Sequence, residues 1–149
     1  MIRWETCKKD FEGDGSLRDI YVTPATLAHW RALLQFLRSS PSVEYFVDGV
    51  AQPLPASVDQ IFGARPSGSP MLRFKVGRAL VVFHFFSEEE IECDLVPNDI
   101  SSQADLDILL DFVRQLGEVT GQRVIITPEN CQEGPFISFN PKICEFKYH

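Results

Sequence analysis

The sequence predicts a single α+β domain over residues 1–149, in which two main helices and one short helix pack on a mainly antiparallel β-sheet. Strand-like segments rich in Val, Ile and Phe follow one another, and most of their connections are short enough for hairpins. Only two long stretches carry apolar residues at helical spacing. The regular alternation of strand and helix that a doubly wound α/β fold requires is missing.

The first part of the chain predicts a hairpin followed by a helix. Residues 2–7 and 17–22 have the composition of strands, and the Gly-Asp-Gly sequence between them indicates a turn. Thr23 and Pro24 suit the start of a helix, as N-cap and first helical residue. The apolar stripe of this helix consists of Leu27, Trp30, Leu33, Leu34 and Leu37.

A second hairpin and a short helix are predicted next. Asp48-Gly49 lies between strands 43–47 and 50–54, and this dipeptide is a strong hairpin signal. Pro53 and Pro55 place the second strand at a sheet edge, because proline cannot donate to a neighbouring strand. Ser57 and Gln60 form a capping box that opens a short helix, and a surface loop follows at residues 63–70.

Residues 71–96 predict a three-stranded meander. Its last two strands, 79–86 and 91–96, face each other best if Val81, Phe83 and Phe85 share one face with Ile91, Cys93 and Leu95. The opposite register would bury charged groups among phenylalanines, which is costly. The preferred register implies a connection with an odd number of residues. It places His84, Glu92 and Asp94 together on the other face.

The last third of the chain predicts a long helix and three strands. Asp99, Ser101 and Ser102 can cap this helix, and Gly121 can end it. Strands are expected at 123–127, 135–139 and 143–148. The helix has an apolar stripe of Leu106, Leu109, Leu110, Val113 and Leu116.

The composition limits the class of protein. The net charge of −7 and the pI of about 4.9 disfavour nucleic-acid binding, because an acidic surface repels phosphates. No segment is apolar and long enough to span a bilayer, and the N-terminus has no signal-peptide pattern, so a cytoplasmic protein is expected. The four cysteines lack metal-ligand spacing and are expected to be free thiols. The sequence predicts no cofactor.

His84, Glu92 and Asp94 form the most chemically suggestive group. One histidine and two carboxylates could hold a divalent metal or pair an acid with a base. The alternative is a half-buried histidine hydrogen-bonded to a carboxylate, with no chemical role. No nucleophile, phosphate-binding or metalloprotease motif accompanies the group, so the chain is predicted not to be an enzyme.

An acidic region surrounds this group and is the other candidate site. It could meet a basic protein, or it could be a solvated turn and helix surface. The candidate binding residues are Glu88, Glu89, Glu90, Glu92, Asp94, Asp99, Asp105 and Asp107.

Four segments between Gly15 and Asn130 have a recognisable pattern: GSLRDIYV, TLAHWRALLQFL, HFFSEEEIECDL and LLDFVRQLGEVTGQRVIITPEN. Together they resemble small acidic bacterial proteins of the polymorphic-toxin immunity type, which are often encoded beside secreted toxins. The resemblance implies a cytoplasmic protein that covers the active site of a toxin domain, and it transfers no catalytic residues.

Three hypotheses follow from the sequence. The first is a non-enzymatic module that binds a basic protein, such as a toxin domain. The second is a metal- or ligand-binding protein, or an enzyme, that uses His84, Glu92 and Asp94. The third is an assembly protein whose exposed strand edges pair into a dimer. The sequence leaves the strand order, the partner and the oligomeric state open.

Overall fold

The computed structural model describes all 149 residues. The helices are α1 (Trp4–Cys7), α2 (Leu27–Arg38), α3 (Val58–Gly63) and α4 (Gln103–Thr120). The strands are β1 (Arg18–Val22), β2 (Glu44–Val47), β3 (Val50–Gln52), β4 (Pro70–Val76), β5 (Ala79–Ser87), β6 (Glu90–Leu95), β7 (Val124–Pro128), β8 (Ile137–Asn140) and β9 (Glu145–Tyr148).

The nine strands form one sheet in the order β3-β2-β4-β5-β6-β1-β7-β8-β9. Every neighbouring pair is antiparallel. The predicted α+β fold with an antiparallel sheet is therefore confirmed. Strands β3 and β9 are the two edges.

The two long helices pack on one face of the sheet, which we call the core face. Trp30 of α2 contacts Phe85 of β5 with ring centroids 4.9 Å apart, and Phe112 of α4 contacts Phe83. The predicted stripe of α4 is wholly buried, and so is that of α2 except for half-buried Leu27. The opposite side of the sheet, which we call the open face, has no helix packed on it.

The N-terminal segment is helical, so the predicted first strand and its hairpin are wrong. Trp4, Cys7 and Phe11 recur at helical spacing, and Cys7 and Phe11 are buried. The guanidinium of Arg18 donates to the carbonyl oxygens of Asp10 (2.6 Å) and Glu12 (2.9 Å). These bonds hold the end of the segment against β1 without a strand pairing, and nothing local in residues 2–7 signals such a tether.

Helix α2 begins at Leu27, later than predicted from Thr23 and Pro24. The Thr26 hydroxyl accepts from the backbone N–H of His29 at 3.4 Å, and His29 Nδ1 accepts from the Thr26 N–H at 3.0 Å. This arrangement is a capping box with histidine in place of the usual glutamate. The Thr23–Pro24 bond is cis and precedes the helix.

The other turn and cap predictions are confirmed. Asp48 and Gly49 both have positive φ, as a tight hairpin between β2 and β3 requires, and β3 is a sheet edge. Ser57 caps α3 within a capping box. Ser102 caps α4, and Gly121, at φ 70°, ends it in the left-handed conformation.

The predicted register of the last meander hairpin is confirmed, but its connection is not the odd-numbered loop expected. Phe83 pairs with Cys93 and His84 with Glu92, while Ser87 pairs with Glu90. A register shift between His84 and Ser87 marks a bulge, which adds one residue to β5. Because of this extra residue, the hairpin keeps the predicted register although its turn, Glu88-Glu89, has only two residues.

None of the helices combines the length and the apolar character that a membrane crossing needs.

Candidate functional site

The candidate site lies on the open face, where β5, β6 and β1 run side by side. In one row, His84 lies opposite Glu92, and Glu92 lies opposite Tyr21. In the next row, Asp94 lies opposite Asp19. Because side chains alternate between the two faces of a sheet, all five point to the open side. The structure thus brings together the predicted group of His84, Glu92 and Asp94.

Within this group, His84 bonds to Asp94 and not to Glu92. Its Nε2 lies 2.7 Å from Asp94 Oδ2, and the side chains are 23% and 12% exposed. The hydrogen bond to Asp94 raises the pKa of His84 above its ordinary 6.5, against the opposing effect of burial. The nearby charges of Glu92 and Asp19 raise this pKa further. The pair therefore favours the imidazolium form of His84.

Phe86 extends the site with an exposed aromatic surface. Its ring is parallel to the His84 ring, within 4°, at a centroid distance of 4.9 Å. Phe86 is 61% exposed, while its neighbour Phe85 is buried in the core. Large aromatic side chains presented in this way are typical of protein-binding surfaces.

The loop between β7 and β8 borders the site on the other side. The backbone N–H of Asn130 donates to Asp19 Oδ2 at 2.7 Å, and the Tyr21 hydroxyl donates to the same oxygen at 2.9 Å. Further along the loop, Gln132 Nε2 donates to Glu90 Oε2 at 2.7 Å. The loop covers Asp19 and Tyr21, both of which are buried, and leaves Glu90 and Glu92 half-exposed.

The site holds four carboxylates and no balancing lysine or arginine. Asp94 pairs with His84, and no Lys or Arg nitrogen lies within 4.0 Å of Asp19, Glu90, Glu92 or Asp94. Burial, followed by repulsion from Asp19, raises the pKa of Glu92. Burial and the bond to Asp19 also raise the pKa of Tyr21. The site is thus a region of negative potential in a partly desolvated setting.

The structure divides the predicted acidic residues between the two ends of β6. Glu88 and Glu89 are exposed on the turn that joins β5 and β6, next to the site. Asp99, Asp105 and Asp107 follow the other end of this six-residue strand, roughly 20 Å away. Asp105 accepts from the N–H of Ser101 at 3.0 Å, and Asp107 accepts from Gln103 at 2.8 Å. Asp105 and Asp107 belong to the first turns of α4, Asp99 precedes this helix, and none of the three lies on the open face.

The chemistry that the arrangement supports is proton exchange at His84, through its hydrogen bond to Asp94. No group of three or more His, Cys, Asp or Glu side chains in the chain is arranged so that it could hold a metal ion. Cys93 lies on the core face between the two acidic rows, and burial raises its pKa well above the ordinary value. It therefore supplies no thiolate to the site.

Asp19 and Tyr21 are the site residues that the sequence did not single out as members of this group. In the sequence, Arg18 and Asp19 form a polar pair near the start of the strand-like segment 17–22. The place of Asp19 beside Asp94 depends on the pairing of β1 with β6, in which partner residues lie 69 to 77 positions apart along the chain. Asn130 lies in the turn after β7 with a φ of 57°, a left-handed conformation that asparagine tolerates.

We compared the chain with protein-family models, with curated proteins and with solved structures, and none of them matches it.

Proposed function

We propose that this protein is a cytoplasmic, non-enzymatic module that binds a basic protein, and that it acts as an immunity-type inhibitor of a toxin domain. The observation that carries the proposal is the unbalanced negative charge of the open face beside the exposed ring of Phe86. Binding surfaces commonly combine an aromatic anchor with complementary charge.

The contacts support a surface made of two parts. Glu88 and Glu89 on the turn are exposed and can attract a cationic partner at a distance. Glu90, Glu92 and Phe86 lie next to them on the open face and can be covered by the partner. A lysine or arginine placed over Glu92 would supply the counter-charge that the chain itself lacks.

The proposal is tested with the protein encoded next to this chain's gene, used in a catalytically inactive form. Titration calorimetry at 50 and 300 mM NaCl should show tight binding that weakens at the higher salt, because exposed charges are screened over about 10 Å at 0.1 M. Failure of the neighbouring gene product to bind at either salt concentration would refute the immunity-type assignment.

The alternative function, a metal- or small-ligand-binding protein or an enzyme that uses His84, Glu92 and Asp94, rests on the His84–Asp94 hydrogen bond. Because its pKa is raised, the partly exposed His84 favours the imidazolium form, which can donate a proton to a bound molecule. Titration with Zn²⁺ or Mn²⁺, monitored through the NMR signals of the His84 ring protons, distinguishes the two functions. Saturable perturbation of these signals at micromolar metal would favour the alternative.

A further inference from the structure

The two edges of the sheet differ in how well they are protected against pairing with another strand. Edge strand β3 has three residues and is followed by Pro53 and Pro55, which cannot donate hydrogen bonds. Edge strand β9, at the opposite end, contains no proline, and its outer side has no neighbouring strand. Exposed edges of this kind are templates for strand addition.

The side chains of β9 alternate between the two faces of the sheet. Phe146 and Tyr148 pair with Phe139 and Ile137 of β8 and lie on the core face. Glu145 and Lys147 lie on the open face, and neither forms an ion pair within the chain. The edge therefore presents one free anion and one free cation on the same face, two residues apart.

We infer that β9 pairs with β9 of a second copy of this chain, in an antiparallel, two-fold symmetric arrangement centred on Phe146. In this register each Glu145 lies opposite Lys147 of the second copy, so the dimer contains two ion pairs and every one of these charges has a partner. A shift of two residues in either direction would instead set Glu145 against Glu145 or Lys147 against Lys147. Like charges directly opposite each other are destabilising, so the charges select the register.

A cleft on the core-face side of β9 adds apolar surface to this interface. Its volume is about 640 Å³, and it lies between α4 and β9, with Leu110 and Phe146 among its lining residues. Met1, which is fully exposed, also lines it. The two-fold axis would bring the clefts of both copies side by side and set one Phe146 ring against the other. Such cross-strand aromatic pairs stabilise sheets.

The inference is independent of the proposed function, because the acidic open face lies at β5, β6 and β1, three or more strands away from β9. A dimer of this kind would leave both copies of the acidic site accessible. The pairing would join the nine-stranded sheets of the two copies at β9 into one continuous sheet.

The test is light scattering coupled to size-exclusion chromatography, with sedimentation equilibrium, at 1 to about 200 µM protein in 0.15 M NaCl. The wild type should be a dimer at the higher concentrations. Lys147→Glu should raise the dimer dissociation constant by about tenfold or more, because it sets glutamates against glutamates at both paired positions. Glu145→Lys should have the same effect with lysines.

The charge-reversed double variant, Glu145→Lys with Lys147→Glu, restores opposite charges in the same register and should dimerise like the wild type. Lys75→Glu on β4 changes the net charge as much as Lys147→Glu but lies far from the edge, and should leave the dimer intact. Far-UV circular dichroism confirms that each variant is folded. A wild type that is monomeric at 200 µM, or a dimer that Lys147→Glu leaves unchanged, would overturn the inference.

Discussion

At the scale of single residues, the site is determined by how His84 and the carboxylates of the open face share charge. His84 has one direct partner, Asp94, at 2.7 Å, and its exposed side is covered by the ring of Phe86. Glu92 has no direct partner among the basic residues and is held in a setting that raises its pKa. The hydrogen bond thus holds His84 and Asp94 together, and the carboxylates without a basic partner give the negative potential that a binding partner would meet.

The His84–Asp94 bond predicts a measurable pKa. The pKa of His84 should lie above 6.5 in the wild type and should fall in Asp94→Asn, because the variant loses the carboxylate that stabilises the imidazolium. NMR titration of the histidine ring protons measures it, with His149 as an internal control whose pKa is lowered by burial and by nearby cations. A His84 pKa that is equal in both proteins would contradict the assignment.

The same pair predicts how stability depends on pH. Because the pKa of His84 is raised in the folded state, its stabilising contribution is complete below about pH 6.5 and is lost as the pH rises through the folded-state pKa. The difference in free energy of unfolding between the wild type and His84→Gln should therefore decrease from pH 6 to pH 8. Urea unfolding at several pH values measures this difference, and an increase with pH would contradict the account.

At the scale of elements, the sequence predicted the turns and helix ends that are determined by interactions between residues close together in the chain. The turn at Asp48-Gly49, the caps at Ser57 and Ser102, and the stop at Gly121 all depend on residues within a few positions, and all were predictable. The N-terminal helix was not predictable in this way, because contacts with distant groups hold it. The backbone N–H of Trp4 donates to the side-chain oxygen Oε1 of Gln103, 99 residues away.

Helix α4 gives a prediction at this scale. The Ser102 hydroxyl accepts from the N–H of Asp105 at 3.1 Å, so Ser102→Ala should lower the free energy of unfolding by about 1 kcal/mol. Thermal or urea unfolding measures the change. Ser101→Ala is the matched control, because the Ser101 side chain is not the N-cap, and it should have a smaller effect. Equal effects of the two substitutions would show that the capping bond does not determine the start of the helix.

At the scale of the whole molecule, the order of the strands creates the site. Strand β1 enters the sheet between β6 and β7, far from its neighbours in the chain, and this brings Asp19 and Tyr21 next to Glu92 and Asp94. Alternation within one hairpin was enough to predict that His84, Glu92 and Asp94 share a face. The other half of the site could not be predicted, because no pattern within a strand reveals which distant strand lies beside it.

The arrangement of charge over the whole molecule also narrows the proposed binding surface. The helices cover the core face. Asp99 lies in the turn that precedes α4, and Asp105 and Asp107 lie in the first turns of this helix. The other candidate binding residues lie at the turn and on the open face, beside Phe86: Glu88, Glu89, Glu90, Glu92 and Asp94. A basic partner that docks there would contact neither α4 nor the edge strand β9.

The most direct test of this account is the affinity for the neighbouring gene product in two charge-matched triple variants. Glu88→Gln, Glu89→Gln and Glu90→Gln together should weaken binding by about tenfold or more, because they remove the charge that faces the partner. Glu5→Gln, Glu12→Gln and Glu118→Gln remove equal charge elsewhere and should leave the affinity within about twofold. Equal affinities of the two variants, measured by titration calorimetry at 50 mM NaCl, would contradict the assignment of the open face and its acidic turn as the binding surface.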